Sequence, residues 1–411
     1  MAIIMNSATL PGNHPLINRP IRSTLSRLAG YMQGEYNMRH VSSRLAIIPA
    51  ILLYGMIWSL PTMAHARQTI DILGREVTIP AQVDRVICSG SGCLRLLVYL
   101  QGHDRIVGVD SAEKGGLPFS TEARPYAVTQ PHLGEHPLFG EFRGHDNPEL
   151  IAALAPGPQV ILKTNAPRDG GTDMLQAKTG IPVIGLGYGN LTTQRDNLNQ
   201  TLRVMGHVLG LEERAEAVIS YFDVLEADLR RRAELVSDDK RPSVYIGGLA
   251  HRGGHGFAST EPSYAPFAFL NVRNVAGELA GNKETVAHAT VSKEQLLLWD
   301  PDVVFLDIST TLLQSGANGL EELRTDKAYQ SLSVVRSNNV FGVFPYNAYT
   351  TNYESVLANA YYIGTVLYPE QFADIAPMAK AEEISNFLNG GPAFEHINSN
   401  FNNLGFSRVT F

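Results

Sequence analysis

Cysteine is almost absent from this chain, which has two in 411 residues, Cys88 and Cys93. Two thiols exclude a disulfide-dense scaffold, a four-cysteine zinc site and a four-cysteine iron–sulfur cluster within one chain. Charge is also sparse: Asp, Glu, Lys and Arg make up 18% of the residues, with 33 basic against 40 acidic and a net charge of −7. An acidic chain has no broad positive footprint for nucleic acid. Neither a Ser-His-Asp spacing nor a metalloprotease motif appears, so no catalytic residue is assigned. What remains is an ordinary globular balance, 44% hydrophobic, long enough for two or three domains.

An export signal is the first positive feature. Met38-Arg39-His40-Val41-Ser42-Ser43-Arg44 is a short basic start, Leu45 to Leu60 is an uncharged, mostly apolar run, and Ala64-His65-Ala66 is a small-x-small cleavage site. The run is shorter than the ~20 residues a spanning helix needs. No cysteine follows it to carry a lipid anchor. We therefore expect cleavage after Ala66 and a periplasmic protein, with residues 1–37 an extension for which Met38 is an alternative start. Removing residues 1–66 takes away five arginines and one glutamate, leaving 28 basic and 39 acidic residues and a net charge of −11.

The exported part reads as α/β. Alternating apolar residues around Leu73-Gly74-Arg75 predict a hairpin over 69–80. Strand, helix and strand at 85–88, 93–100 and 105–110 predict a parallel βαβ unit. Further strands are expected at 160–163 and 181–186, closing a lobe of residues 67–192. A helical segment of 193–240 follows, broken near Leu209-Gly210-Leu211 and long enough to bridge two lobes. Strands at 243–247, 303–307 and 340–344 and helices at 292–299, 353–367 and 378–388 make a second lobe, residues 241–411. Its tail, 398–411, fits no pattern. Helix, turn and strand recur once per lobe: Asn147-Pro148-Glu149 with Pro156, and Ser292-Lys293-Glu294 with Pro301. We expect two Rossmann-like lobes with mainly parallel sheets, joined by one long helix, with a ligand cleft between them.

In order and spacing these segments resemble the periplasmic substrate-binding proteins of ABC importers for iron complexes, haem and corrinoids. The carrying residues are Asp71-Ile-Leu-Gly-Arg-Glu-Val, Arg85-Val-Ile, Gly92-Cys-Leu-Arg-Leu-Leu-Val-Tyr-Leu, Asp104-Arg-Ile-Val-Gly-Val-Asp110, Asn147-Pro-Glu149-Leu-Ile-Ala-Ala-Leu and Val291-Ser-Lys-Glu294-Gln-Leu-Leu-Leu-Trp. The resemblance spans about residues 69–370. It implies a monomeric binding protein, without enzymatic activity or resident cofactor, that passes a small iron- or cobalt-containing chelate to a permease dimer. It also implies that Glu149 and Glu294, one per lobe, dock on that permease. The alternatives are a free-metal-ion binding protein and a chelatase-like tetrapyrrole enzyme.

Candidate ligand residues sit in loops at strand ends. Ser89-Gly90-Ser91-Gly92 offers backbone donors to an anionic group, without being a dinucleotide fingerprint. Cys88 and Cys93 bracket it, either as a disulfide or as two buried thiols. His251-Arg252-Gly-Gly-His255-Gly-Phe257 offers imidazoles for a metal and a guanidinium for carboxylates. Tyr346-Asn347-Ala-Tyr349 offers aromatic surface or phenol. In the first lobe Asp110, Phe139, Arg143, Asn165, Arg168 and Tyr188 complete the set.

Overall fold

The computed structural model of the protein describes residues 66–115, 122–166, 170–281, 283, 286–313 and 316–411. The expected export segment and the candidate ligand residue Arg168 lie outside the described residues. Among the described residues no helix is long and apolar enough to cross a membrane.

Strands β1 (Arg67–Ile70) and β2 (Glu76–Ile79) pair antiparallel as the expected hairpin. Buried Asp71 shapes the turn. Its Oδ1 accepts from the backbone N–H groups of Leu73 and Arg75, and its Oδ2 accepts from Gly185 N at 2.9 Å, tying the hairpin to the main sheet.

That sheet holds β3 (Val86–Ser89), β4 (Ile106–Asp110), β5 (Leu138–Glu141), β6 (His145–Asp146), β7 (Val160–Thr164) and β8 (Val183–Leu186) in the order β6-β5-β4-β3-β7-β8. All neighbours are parallel except the β5–β6 hairpin. Parallel strands are covered on both faces, which is why Val86, Ile87, Val160, Ile161, Leu162, Val183 and Ile184 read as apolar runs and are fully buried. Helix α1 (Cys93–Tyr99) crosses from β3 to β4, α2 (Pro148–Ala153) precedes β7 and α3 (Gly171–Thr179) precedes β8. Cys88 and Cys93 are both buried free thiols.

A second sheet runs β11-β9-β13-β14, all parallel, from β9 (Ser243–Gly247), β11 (Arg273–Asn274), β13 (Val303–Asp307) and β14 (Val340–Val343). A small antiparallel pair, β10 (Ser259–Thr260) with β12 (Ala289–Thr290), lies beside it. The tail that fitted no pattern covers the β14 edge: Arg408 bridges Phe341 in antiparallel sense, and Gly342 N donates to Ser407 O at 2.9 Å.

Between the sheets come α4 (Arg195–Leu209) and the 23-residue α5 (Glu212–Glu234), separated at left-handed Gly210. Buried Ala215, Val218, Ile219, Phe222, Leu225, Leu229 and Ala233 form one stripe along α5. Phe222 meets Tyr99 of α1 edge-on at 6.2 Å, while Arg230, two turns on, lies over Phe269 of the second lobe. Helix α5 therefore spans from one lobe to the other. In the second lobe α6 (Lys293–Trp299) precedes β13, and α7 (Tyr353–Leu367) is buried through most of its length. Helices α8 (Pro377–Asn389) and α9 (Phe394–Asn400) follow. Stretch 241–411 does not stay within its own sheet. Helix α8 packs back on α1, where Gln101 Nε2 donates to Leu388 O at 3.3 Å. Apolar contact runs continuously from Val86 and Leu162 through Phe222 and Tyr353 to Ile246 and Phe305.

Candidate functional site

The loops at the C-terminal ends of both sheets enclose a cavity of about 670 Å³. Its first-lobe wall includes Ser91, Phe142, Arg143, Asn165 and the segment around Arg124. Its second-lobe wall includes His251-Arg252-Gly253 after β9, Ser309 and Leu312-Leu313 after β13, and Pro345 with Asn347 to Thr350 after β14. Strand-end loops are where a parallel α/β sheet leaves room for a ligand.

Segment 346–352 forms a strap between the lobes. Arg95 of α1 is fully buried and donates through Nη1 to Thr351 O at 2.8 Å and through Nη2 to Ala348 O at 3.0 Å. Tyr188 Oη donates to Thr351 O at 2.6 Å. Tyr349 reaches back into the first lobe, where its Oη donates to Asp110 Oδ2 at 2.5 Å and accepts from Arg143 N at 2.8 Å. Burial pushes the Asp110 carboxyl up to about 6; the Tyr349 bond pulls the other way, and Glu113 adds to the rise. Gly92 must be glycine here. It has φ +81°, and a Cβ would stand 2.1 Å from the Tyr188 ring.

Five non-glycine residues of the cavity wall are left-handed: Arg143 (φ 63°), Asn165 (52°), Arg252 (55°), Tyr349 (51°) and Thr350 (71°). Asparagine tolerates this region, but each of the others stores roughly 1–3 kcal/mol, Thr350 most because it is β-branched. Strain of this kind collects at ligand clamps.

Charge on the wall is uneven. Arg124 is committed, with Nη1 at 3.0 Å from Glu113 and Nη2 at 2.6 Å from Glu122. Arg143 and Arg252 are exposed to the cavity and have no carboxylate within salt-bridge range among the described residues. Arg143 lies over the Phe142 ring at 5.1 Å. Beside Arg252, His251 stacks on His288 with centroids 4.7 Å apart and planes at 12°, and His255 packs against His288 at 4.9 Å with the rings tilted by 42°. Burial, then Arg252 and His255, lower the His251 pKa; burial, then His251 and His255, lower that of His288. Among the described residues no group of three or more His, Cys, Asp or Glu side chains is arranged to hold a metal ion.

Of the sequence candidates, Ser91, Arg143, Asn165, His251, Arg252, Asn347 and Tyr349 line the cavity. The other described candidates do not line it. Ser89 is fully buried and accepts from Lys163 Nζ at 3.0 Å. Gly90 packs on Thr164, and Asp110 lies beneath Tyr349. Tyr188 is stacked on Tyr353 at 5.2 Å, and burial pushes its hydroxyl up to about 12. His255 Nε2 is held 2.8 Å from His251 O. Phe139 and Phe257 are core residues with no exposed surface, and Tyr346 is a buried partner of Glu261. Neither Glu149 nor Glu294 lines the cavity; each is exposed in the first turn of its helix. Asn147 Oδ1 caps α2 and Ser292 Oγ caps α6. Sequence reasoning singled out none of Arg95, Arg124, Phe142, His288 and Thr350 as a ligand residue.

Residues 86–345 match the family described as periplasmic binding protein. The chain belongs to this family. Its members are solute-binding subunits of ABC transporters, which places the protein in the periplasm. The molybdate-binding protein MolA of Haemophilus influenzae is 23% identical over 353 residues, 80% of this chain and 92% of MolA. A periplasmic solute binding protein from Veillonella parvula matches with a TM-score of 0.62 at 18% identity, over 82% of this chain and 97% of that one. An ABC transporter solute binding protein from Sulfurospirillum deleyianum matches at 0.60 and 19%, over 82% and 99%. These structures share the two-lobed α/β architecture.

Proposed function

We propose that this periplasmic binding protein captures an anionic metal complex (a ferric siderophore, haem or a corrinoid bearing acidic groups) in the interlobe cavity and delivers it to an ABC permease dimer. One observation carries the reading: in a protein with 39 acidic and 28 basic residues after position 66, two arginines with no carboxylate in salt-bridge range among the described residues face one cavity from opposite lobes. Positive groups held against the charge of the whole molecule select and steer an anion. A volume of about 670 Å³ falls in the range that buries a drug-sized ligand, and Phe142, Leu312, Leu313 and Phe401 give it apolar surface.

A second reading follows from the relative named for molybdate: a bare oxyanion held by Arg143 and Arg252. Such an ion would leave most of the cavity to water, which favours the larger complex. We further propose that the protein acts as a monomer, that export removes residues 1–66, and that Glu149 and Glu294 dock on the permease. Both carboxylates are exposed, one per lobe, so a permease gripping both would sense the spacing of the lobes.

Equilibrium titration decides between the readings. The protein is titrated with haemin, a tris-catecholate ferric chelate, a carboxylate-bearing corrinoid and molybdate. The proposal expects micromolar or tighter binding of one metal complex; binding of molybdate alone would establish the second reading instead.

A further inference from the structure

We infer that Tyr349 is a positioning residue for anion binding: from the second-lobe strap it sets the backbone of Arg143 in the first lobe, so that the two arginines keep their places on the cavity wall only while the strap is docked. This rests on the reading of the cavity as an anion site, and it holds for a metal complex and a bare oxyanion alike.

Arg143 occupies the turn between β5 and β6, where it (φ 63°) and Gly144 (φ 78°) are consecutive left-handed residues. Glycine adopts that region without strain and arginine does not, and a strained residue persists only where its surroundings over-determine it. Three side chains do so here. Ser111 Oγ accepts from Phe142 N at 2.9 Å, Tyr349 Oη accepts from Arg143 N at 2.8 Å, and the buried Lys163 donates through Nζ to Gly144 O at 3.1 Å. Ser111 and Lys163 belong to the first lobe. Tyr349 alone of the three comes from the second, and its bond falls on the strained arginine itself. Contact continues through the rings: the Arg143 guanidinium lies over Phe142 at 5.1 Å, and the Phe142 and Tyr349 rings meet at 6.4 Å.

The strap reaches the other arginine loop as well. Asn347 Nδ2 donates to Ala250 O at 3.0 Å, two residues before Arg252. Arg95 fixes the strap between these ends through the carbonyls of Ala348 and Thr351. Asp110 accepts the Tyr349 proton, which turns a lone pair of the hydroxyl toward the Arg143 N–H. One short segment therefore ties the Arg143 turn to the Arg252 loop. Groups held in their binding conformation before a ligand arrives spare it the cost of ordering them.

A double-mutant cycle tests this, because residues that act through one another are non-additive and independent ones add. The unmodified protein, Tyr349→Phe, Arg143→Ala, Arg252→Ala, and Tyr349→Phe paired with each arginine change are purified from the periplasmic fraction of cells expressing the full chain. Each is checked for an unchanged circular dichroism spectrum. Haemin, a tris-catecholate ferric chelate and molybdate are titrated into each at pH 7.5. Tyr349→Phe, which keeps the ring, should weaken whichever probe binds by roughly three- to tenfold, as one lost hydrogen bond does, in both the unmodified and the Arg252→Ala backgrounds. Once Arg143 is Ala, the same change should cost less than about twofold. Asp110→Ala, which removes the acceptor that orients the hydroxyl, is a second route to the same break and should show the same dependence on Arg143. An equal loss with Arg143 present and absent would overturn the inference, because the hydroxyl would then act on the probe directly or through general loosening; so would no loss at all. If Arg143→Ala changed the affinity for none of the probes, or if none bound the unmodified protein, the anion-site reading would fail and the inference with it.

Discussion

Replacing Tyr349 with Phe removes one oxygen from the interlobe strap and should produce a stability defect that depends on pH. The lost hydroxyl donates to Asp110 Oδ2 and accepts from Arg143 N. Asp110 is 4% exposed and among the described residues then keeps the backbone N–H of Ala112 as its one donor. A hydrogen bond to an ionised partner is worth about 1.5–3 kcal/mol and one to a neutral partner about 1 kcal/mol. The Asp110 carboxyl titrates at about 6 in the folded protein against 3.8 for the free group. With the folded value raised, ionisation opposes folding: stability is greatest below pH ~4, declines as pH rises to ~6, and levels off above. Removing the Tyr349 donor, which favours the ionised form, raises the folded value further. Tyr349→Phe should therefore cost about 2 kcal/mol at pH 7.5, where the lost bond is to a carboxylate, and about 1 kcal/mol at pH 5.0, where the partner is a neutral acid. Urea titrations of the two proteins at both pH values measure this. A deficit at pH 5.0 equal to or larger than that at pH 7.5 would mean that Asp110 is not the partner whose charge the hydroxyl stabilises.

Arg143→Ala and Arg252→Ala should each weaken an anionic complex roughly ten- to a hundredfold, the loss of one charged hydrogen bond, and the loss should shrink in high salt; calorimetric titration at two ionic strengths reads both. Phe139→Ala should destabilise by about 3–5 kcal/mol without changing ligand contacts. Phe142→Ala should change stability by about 0.5 kcal/mol or less and weaken binding, since its ring lines the cavity under Arg143. Glu149→Ala with Glu294→Ala should leave solute affinity unchanged and abolish uptake in whole cells; uptake at the unmodified rate would remove the docking proposal.

Local pattern announced most of the scaffold. Parallel strands are covered on both faces, so 86–89, 160–164, 243–247 and 303–307 stand out as short apolar runs. Caps at Asn147 and Ser292 are equally local. The 405–409 edge was illegible because its pairing partner lies some seventy residues earlier in β14, and nothing in an Asn-rich tail encodes that register. The site was legible only to the level of which loops contribute. Phe139 and Phe142 stand three residues apart; strand β5 turns the first into the core and the β5–β6 turn delivers the second to the cavity. Ser89 ends a buried strand and Ser91 begins a turn, so one faces Lys163 and the other the cavity. His288 is thirty-three residues from His255 with no motif joining them, and only the pairing of β12 with β10 brings it against the loop after β9.

Whether the interlobe cavity holds a metal complex can be read from the protein isolated from the periplasm without refolding, by native mass spectrometry with elemental analysis of the same sample. The expected species is a polypeptide beginning at Arg67 that carries one additional small molecule with one iron or cobalt atom. Recovery of the polypeptide with a tetra-oxo anion in place of a metal complex would rule out a metal-complex cargo.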